Sequence, residues 1–140
     1  MVAHKISFEL RNNLSELKLL YQNLKNFGRT TGLSTSCINE INIGLDELFT
    51  NIVSYGFEDD SEHRIMFNIH LKNGVLTIYV EDDGIPFNPL EIKDPETPTD
   101  LIEAKIGGLG IHFVKQLMDD VCYDRNQGKN RLTLIKSIST

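Results

Sequence analysis

The sequence has no tryptophan and only two cysteines, Cys37 and Cys122, in 140 residues. The cysteines show no CxxC spacing and no histidines cluster near them, so they are predicted to be reduced thiols. No apolar run approaches the ~20 residues that span a bilayer. The first ten residues alternate apolar and polar side chains, which argues against a signal peptide. These absences predict a cytoplasmic protein without a membrane partner.

Clusters of basic residues are also missing, and the formal net charge is −6. A nucleic-acid-binding protein normally presents a basic face, so no nucleic-acid partner is expected. An acidic surface does not exclude a nucleotide ligand, because Mg²⁺ and backbone N–H groups can neutralise phosphates locally.

The length fits one domain over residues 1–140. Hydrophobic periodicity separates strands, with period two, from helices, with a period between three and four. The predicted elements are a strand at 4–10, helices at 11–28 and 34–55, a hairpin at 64–82, a helix at 108–118 and a second hairpin from 121 to 138, turning at 126–129. The sum is an α/β two-layer sandwich, with a mostly antiparallel five-stranded sheet and three helices on one face.

All four prolines lie between residues 84 and 106. Loops of this length are uncommon inside a compact domain and are usually functional. The segment has few apolar side chains to bury, so a mobile lid is predicted at about residues 86–107.

Glu47 and Asn51 are four residues apart on the second predicted helix, so their side chains share one side. The amide oxygen could bind Mg²⁺, and the carboxylate could act on a hydroxyl or a water molecule. The alternative is a solvated polar face, which the spacing alone favours.

Asp82 ends a strand of apolar residues and is followed closely by Gly84. A carboxylate at a strand end, facing a pocket, can accept a hydrogen bond from the exocyclic amine of adenine. An acidic turn cap explains the same pattern, since Asp is common beside Gly in turns. The residue alone does not decide between them.

Residues 105–110, Lys-Ile-Gly-Gly-Leu-Gly, lead directly into the third predicted helix. Exposed backbone N–H groups at a helix N-terminus bind phosphate. A flexible hinge is the alternative interpretation of a single glycine cluster. The segment is not a P-loop, because no Gly-Lys-Ser/Thr follows the glycines.

Taken together and in this order, the three features resemble those of the GHKL (Bergerat-fold) ATPases. The segments LDELFTNIVSYGF, EDDGIPFNP and IGGLGIHFVKQLMDDVCYDR are most similar to bacterial anti-sigma factor serine/threonine kinases. The resemblance covers nearly the whole chain. It implies a Bergerat fold and a site for ATP and Mg²⁺.

The resemblance also assigns roles to matching positions. Asn51 would bind Mg²⁺, Asp82 would bind the adenine amine, and Glu47 would be the general base for phosphoryl transfer to a serine or threonine hydroxyl. The implied cofactor-binding set is Asn51, Asp82, Gly84, Pro86, Lys105, Gly107, Gly108, Leu109, Gly110 and Asn130.

Two positions depart from the superfamily pattern. Pro86 stands where the second box usually has its second glycine, which predicts a stiffer start to the lid. Asn130 stands where a threonine is expected beside the adenine, and an amide can still form hydrogen bonds there.

The implied function is a serine/threonine kinase that phosphorylates a STAS-type anti-sigma factor antagonist and sequesters a partner such as a sigma factor. A homodimer is also expected, because these kinases pair and the strand at 4–10 offers an open edge. One alternative is a non-catalytic module in which bound ATP switches the affinity for a partner. Another is a regulator from a system unrelated to sigma factors, such as a phosphatase-linked stress or cyclic-nucleotide pathway. Glu47 favours the kinase, since a switch requires no base.

Overall fold

The computed structural model describes residues 3–91 and 109–138. These residues form five strands and three α-helices, with short 3₁₀ turns at Leu14–Glu16 and Pro89–Glu91. The elements are β1 (His4–Arg11), α1 (Leu17–Thr31), α2 (Thr35–Tyr55), β2 (Arg64–Lys72), β3 (Val75–Asp82), α3 (Leu109–Leu117), β4 (Asp120–Asn126) and β5 (Lys129–Ser137).

The sheet has the strand order β1-β2-β3-β5-β4, and each neighbouring pair is antiparallel. Its register aligns one apolar residue from every strand in a single row, namely Ile6, Ile69, Ile78, Leu134 and Val121. This row belongs to the hydrophobic core that the helices share with the sheet. The predicted α/β fold with a five-stranded sheet is confirmed.

Small residues allow the helices to pack closely. A Cβ atom at Gly28 of α1 would lie 2.7 Å from Cγ1 of Ile38 in α2. A Cβ atom at Gly44 of α2 would lie 3.2 Å from a methyl carbon of Val114 in α3. Helix α2 is therefore the central helix of the layer, with α1 on one side and α3 on the other.

The predicted bounds of the first helix were wrong at both ends. It begins at Leu17, because β1 continues to Arg11 and Asn13 caps a 3₁₀ turn before the helix. It continues past Gly28 to Thr31 and ends where Gly32 adopts a left-handed φ of 80°. Gly28 is a packing glycine and Gly32 is the capping glycine.

Both hairpins turn through two residues with positive φ, Asn73-Gly74 and Gln127-Gly128. Such pairs match the right-handed twist of the flanking strands. The second turn is tighter than the predicted span of 126–129, since the strands include Asn126 and Lys129.

Most of the predicted lid, from residue 92 to 107, lies outside the described residues. Within the described ranges, no helix combines the length and apolar character needed to cross a membrane.

Candidate functional site

A polar row crosses three strands at one end of the sheet. Asp82 on β3 pairs with Asn130 on β5, which in turn pairs with Arg125 on β4. The row lies two residues beyond the buried pair Val80 and Leu132, so it continues the helix-facing side of the sheet. Core packing against the helices thus ends at a set of hydrogen-bonding side chains.

Asp82 is only 6% exposed, and its two carboxylate oxygens have different surroundings. Oδ1 accepts hydrogen bonds from the backbone N–H of Gly84 at 2.9 Å and from Nδ2 of Asn130 at 3.0 Å. Burial raises the pKa of Asp82, and these two hydrogen bonds oppose that rise. Oδ2 accepts no hydrogen bond from any residue that the structure describes, so it remains available as an acceptor.

Asn130 is the centre of this network and is 3% exposed. Its Nδ2 also donates to the carbonyl oxygen of Ile85 at 2.7 Å, so both amide hydrogens are used. Its Oδ1 accepts from Nη1 of Arg125 at 3.1 Å, from the backbone N–H of Phe87 at 3.3 Å and from the hydroxyl of Tyr123. In this arrangement Asn130 holds the segment that follows β3.

Gly84 lies where this segment touches α2. A Cβ atom at position 84 would lie 2.0 Å from the carbonyl oxygen of Gly56, which caps α2. That carbonyl accepts a hydrogen bond from the N–H of Ile85 at 2.8 Å. Nη1 of Arg125 donates to the carbonyl oxygen of Gly84 at 2.7 Å. Contact with α2 therefore requires glycine at position 84, whatever its contact with a ligand.

Glu47 and Asn51 lie on α2 near this junction. Asn51 precedes Gly56 by five residues, about 7 Å along the helix axis. It is 2% exposed, and its Nδ2 lies 3.4 Å from Oε1 of the half-buried Glu47. Its Oδ1 makes no hydrogen bond within the described part of the chain. An amide oxygen without a protein donor, on a residue that is itself buried, fits a hard cation such as Mg²⁺.

The glycine-rich box is only partly described. Leu109 and Gly110 form the first turn of α3, whereas Lys105, Gly107 and Gly108 lie outside the described residues. The other end of α3 is fixed at the far end of β5. There the N–H of Asp119 donates to the Ile135 carbonyl at 2.8 Å, and Nζ of Lys136 donates to the Leu117 carbonyl at 3.0 Å. The glycine-rich start of α3 is thus the end farther from Ile135.

Tyr123 and Arg125 were not among the site residues predicted from the sequence. A signal for Arg125 was present, because a hairpin centred on residues 127 and 128 places position 125 opposite Asn130. A single polar residue opposite another on an edge strand gives no periodic pattern. It can be recognised only after the register is known.

The profile of the family described as the histidine kinase-like ATPase domain matches residues 10–136. The chain belongs to this family. The match runs from the end of β1 to the end of β5, so it includes every described residue of the site. In this histidine kinase-like ATPase domain, the polar row lies on the antiparallel sheet, on the side that faces the helices.

Two curated relatives of this ATPase domain carry informative names. The serine-protein kinase RsbW of Listeria innocua is 29% identical over 121 residues, covering 84% of this chain and 77% of the relative. The anti-sigma F factor of Bacillus subtilis is 26% identical over 87 residues, covering 62% of this chain and 60% of the relative.

A solved structure supports the fold. The structure of the RsbU and RsbW domains of a Mycobacterium tuberculosis protein matches 98% of this chain with a TM-score of 0.69 and 17% identity. This chain spans 33% of that longer protein. At this identity the likeness concerns the architecture alone.

Proposed function

We propose that this protein is an ATP- and Mg²⁺-dependent serine/threonine kinase that phosphorylates a STAS-type anti-sigma factor antagonist. The observation that carries the proposal is the arrangement around Asp82. A buried carboxylate with one free oxygen is held against the end of the helix that carries Glu47 and Asn51. The names of the relatives, a serine-protein kinase and an anti-sigma factor, support the same function.

In this proposal, Asp82 selects adenine as the base of the nucleotide. Oδ1 is saturated by two internal donors, so Oδ2 is left to accept the exocyclic amine of adenine. Pro86 and Gly84 shape the start of the segment that would cover the base. Leu109 and Gly110, together with Lys105, Gly107 and Gly108, would present N–H groups and one ammonium group to the phosphates.

Asn51 is the proposed Mg²⁺ ligand, through its amide oxygen. Nδ2 points to Glu47, so the oxygen is on the other branch of the amide. A bound Mg²⁺ ion would supply charge neutralisation between the phosphate oxygens. The hydrogen bond to Glu47 orients the amide of Asn51. This bond connects the proposed metal ligand with the proposed general base.

Glu47 is the proposed general base. Its carboxylate is half-buried and accepts a hydrogen bond only from Asn51 among the described residues, so it keeps acceptor capacity for a substrate hydroxyl. The base would take the proton of a serine or threonine hydroxyl as its oxygen attacks the γ-phosphorus. Positioning and charge neutralisation supply the rest of the rate.

The proposal has three further parts. The protein binds a regulatory partner such as a sigma factor, it forms a homodimer, and it is located in the cytoplasm. The anti-sigma F factor among the relatives supports the partner. Strand β1 is at the edge of the sheet, with β2 as its only described neighbour, so it can pair with another chain. Light scattering at high micromolar concentration should give twice the chain mass, and a monomer would remove the dimer from the proposal.

The kinase proposal is tested with γ-labelled ATP, Mg²⁺ and candidate STAS-type antagonists. We expect label on a serine or threonine of one antagonist, and none when Mg²⁺ is chelated. If no antagonist is labelled but ATP changes the affinity for a partner, the protein is an ATP-switched binding module. Failure of both would overturn the proposal.

A further inference from the structure

We propose that Tyr123 and Arg125 are positioning residues that set the orientation of the Asn130 amide and thereby direct Asp82 to a 6-amino purine. Neither side chain needs to touch the nucleotide. The inference rests on the proposed function, because it concerns how the same site recognises its base. The inference is carried by the contacts of the Asn130 side chain, in which donors surround Oδ1 and acceptors surround Nδ2.

An asparagine amide has a donor end and an acceptor end of nearly the same shape. The surroundings of Asn130 distinguish the two ends. Three donors surround Oδ1: the Tyr123 hydroxyl, the Arg125 guanidinium and the Phe87 backbone N–H. Two acceptors surround Nδ2: Oδ1 of Asp82 and the carbonyl oxygen of Ile85. Only one orientation of the amide satisfies all five contacts.

Strand β4 supplies two of the three donors. Tyr123 and Arg125 are two residues apart, so their side chains point to the same face of the sheet. The third donor, the N–H of Phe87, is the longest of the measured contacts to Oδ1 at 3.3 Å. Without the two β4 side chains, the preference for the observed orientation would depend on one long hydrogen bond.

The orientation matters because of what Asp82 must accept. With Nδ2 facing it, Oδ1 of Asp82 accepts a second hydrogen bond, which favours the carboxylate form and leaves Oδ2 as the acceptor for the nucleotide base. With the amide turned round, its oxygen would face Oδ1 of Asp82 and repel it, so the carboxylate would no longer be held with Oδ2 in place. Oδ2 would then be a poorer acceptor for a 6-amino group, so the preference over a 6-oxo purine would fall.

The experiment compares the dissociation constants of Mg·ATP and Mg·ITP, which carry a 6-amino and a 6-oxo base. The site variant is Tyr123→Phe/Arg125→Met. The matched control is Tyr79→Phe/Arg131→Met, another tyrosine and arginine in contact on this sheet, with the guanidinium carbon 4.8 Å from the ring centre. We expect the preference for ATP to fall about tenfold in the site variant, as for the loss of about one hydrogen bond. The control should retain it.

Two outcomes would overturn the inference. One is equal weakening of both nucleotides in the site variant, with an unchanged preference, which is the result expected for a purely structural role. The other is no change at all. A wild-type protein that binds neither nucleotide would instead refute the proposed function, and the inference with it. If the double variant does not fold, Tyr123→Phe alone should lower the preference by about threefold, since Arg125 keeps one donor in place.

Discussion

Helix α2 carries two pairs of an acid and an amide with the same spacing, Asn42 with Asp46 and Glu47 with Asn51. Asn42 and Asn51 are nine residues apart, about two and a half turns, so the pairs face opposite sides of the helix. Asn51 donates to Glu47, whereas Oδ1 of Asn42 and Oδ1 of Asp46 are enclosed without a partner among the residues described. Burial raises the pKa of Asp46 to about 6.

The comparison shows that i, i+4 spacing does not identify a functional pair. What distinguishes Glu47 and Asn51 is their neighbourhood, since α2 ends on the segment after Asp82. Asp46 has an unpartnered buried oxygen, which costs free energy. The pair of Glu47 and Asn51 is thus proposed to act in catalysis, whereas the pair of Asn42 and Asp46 lowers the stability of the fold. Substitutions that make each acid neutral separate the two.

The largest expected effect is the loss of phosphoryl transfer in Glu47→Gln. The amide is nearly isosteric but cannot take a proton, so the rate should fall by about 10²–10⁴ while ATP binding persists. The matched control is Asp46→Asn, the same kind of change one residue away, which should leave the rate within about threefold. The measurement is the initial rate of antagonist labelling. A near wild-type rate in Glu47→Gln would make Glu47 a structural residue.

The intermediate effect is a gain in stability in Asp46→Asn. The folded-state pKa of Asp46 is raised from 3.8 to about 6, so the folded state binds the proton more tightly. Its contribution to the free energy of unfolding therefore falls as pH rises from about 4 to about 6. At pH 7.5 we expect Asp46→Asn to be more stable by about 1–2 kcal/mol.

Urea unfolding at pH 7.5 and pH 4 measures this difference. The advantage of Asp46→Asn over wild type should shrink towards zero at pH 4, where Asp46 is protonated in the fold. Glu47→Gln, whose partner Asn51 remains, should show no comparable gain. An advantage of the same size at both pH values would contradict the assignment to the Asp46 charge.

The smallest expected effect concerns His63. Unlike Asp46, it has hydrogen-bonding partners for its titrating group. Its Nε2 lies 2.8 Å from Oδ1 of Asp59, and its Nδ1 lies 3.0 Å from Oδ1 of Asp83. Two carboxylates at two ring nitrogens favour the imidazolium, so the pKa of His63 is raised, mainly by the bond to Asp59. This stabilisation is complete below pH 6.5 and is lost as pH rises through the folded-state pKa.

Both carboxylates are largely exposed, so removing the charge of His63 should cost less than about 1 kcal/mol. An NMR titration of the imidazole should give a pKa above 6.5. His63→Gln should lower stability more at pH 6 than at pH 9, because the ring contact with Phe57 is lost at both pH values. A pKa below 6.5 would show that the imidazolium is not held by Asp59 and Asp83.

Much of the fold could be predicted from periodicity, because each core-facing stripe repeats at the period of its own element. The end of α1 could not. Gly28 and Gly32 are both plausible helix ends in sequence, and the difference is made by Ile38, which lies against Gly28. That contact joins two helices and leaves no local signal.

Part of the candidate site could be predicted from the sequence. Asp82, Glu47 and Asn51 were predicted as site residues because their order resembles a family pattern. Arg125 acts through cross-strand pairing with Asn130, which periodicity does not show. Asp46 was missed for a related reason, since a sequence pattern shows which side of a helix is polar but not whether a polar atom has a partner.

The central claim is that a nucleotide binds at the Asp82 end of α2, and thermal unfolding with and without Mg·ATP tests it most directly. At a hundredfold excess over the dissociation constant, Mg·ATP should stabilise the wild-type protein by about 2.7 kcal/mol. Asp46→Asn should show the same ligand-induced shift, and Asp82→Asn should lose most of it. A melting curve of the wild-type protein that Mg·ATP leaves unchanged, or an undiminished shift in Asp82→Asn, would contradict the account.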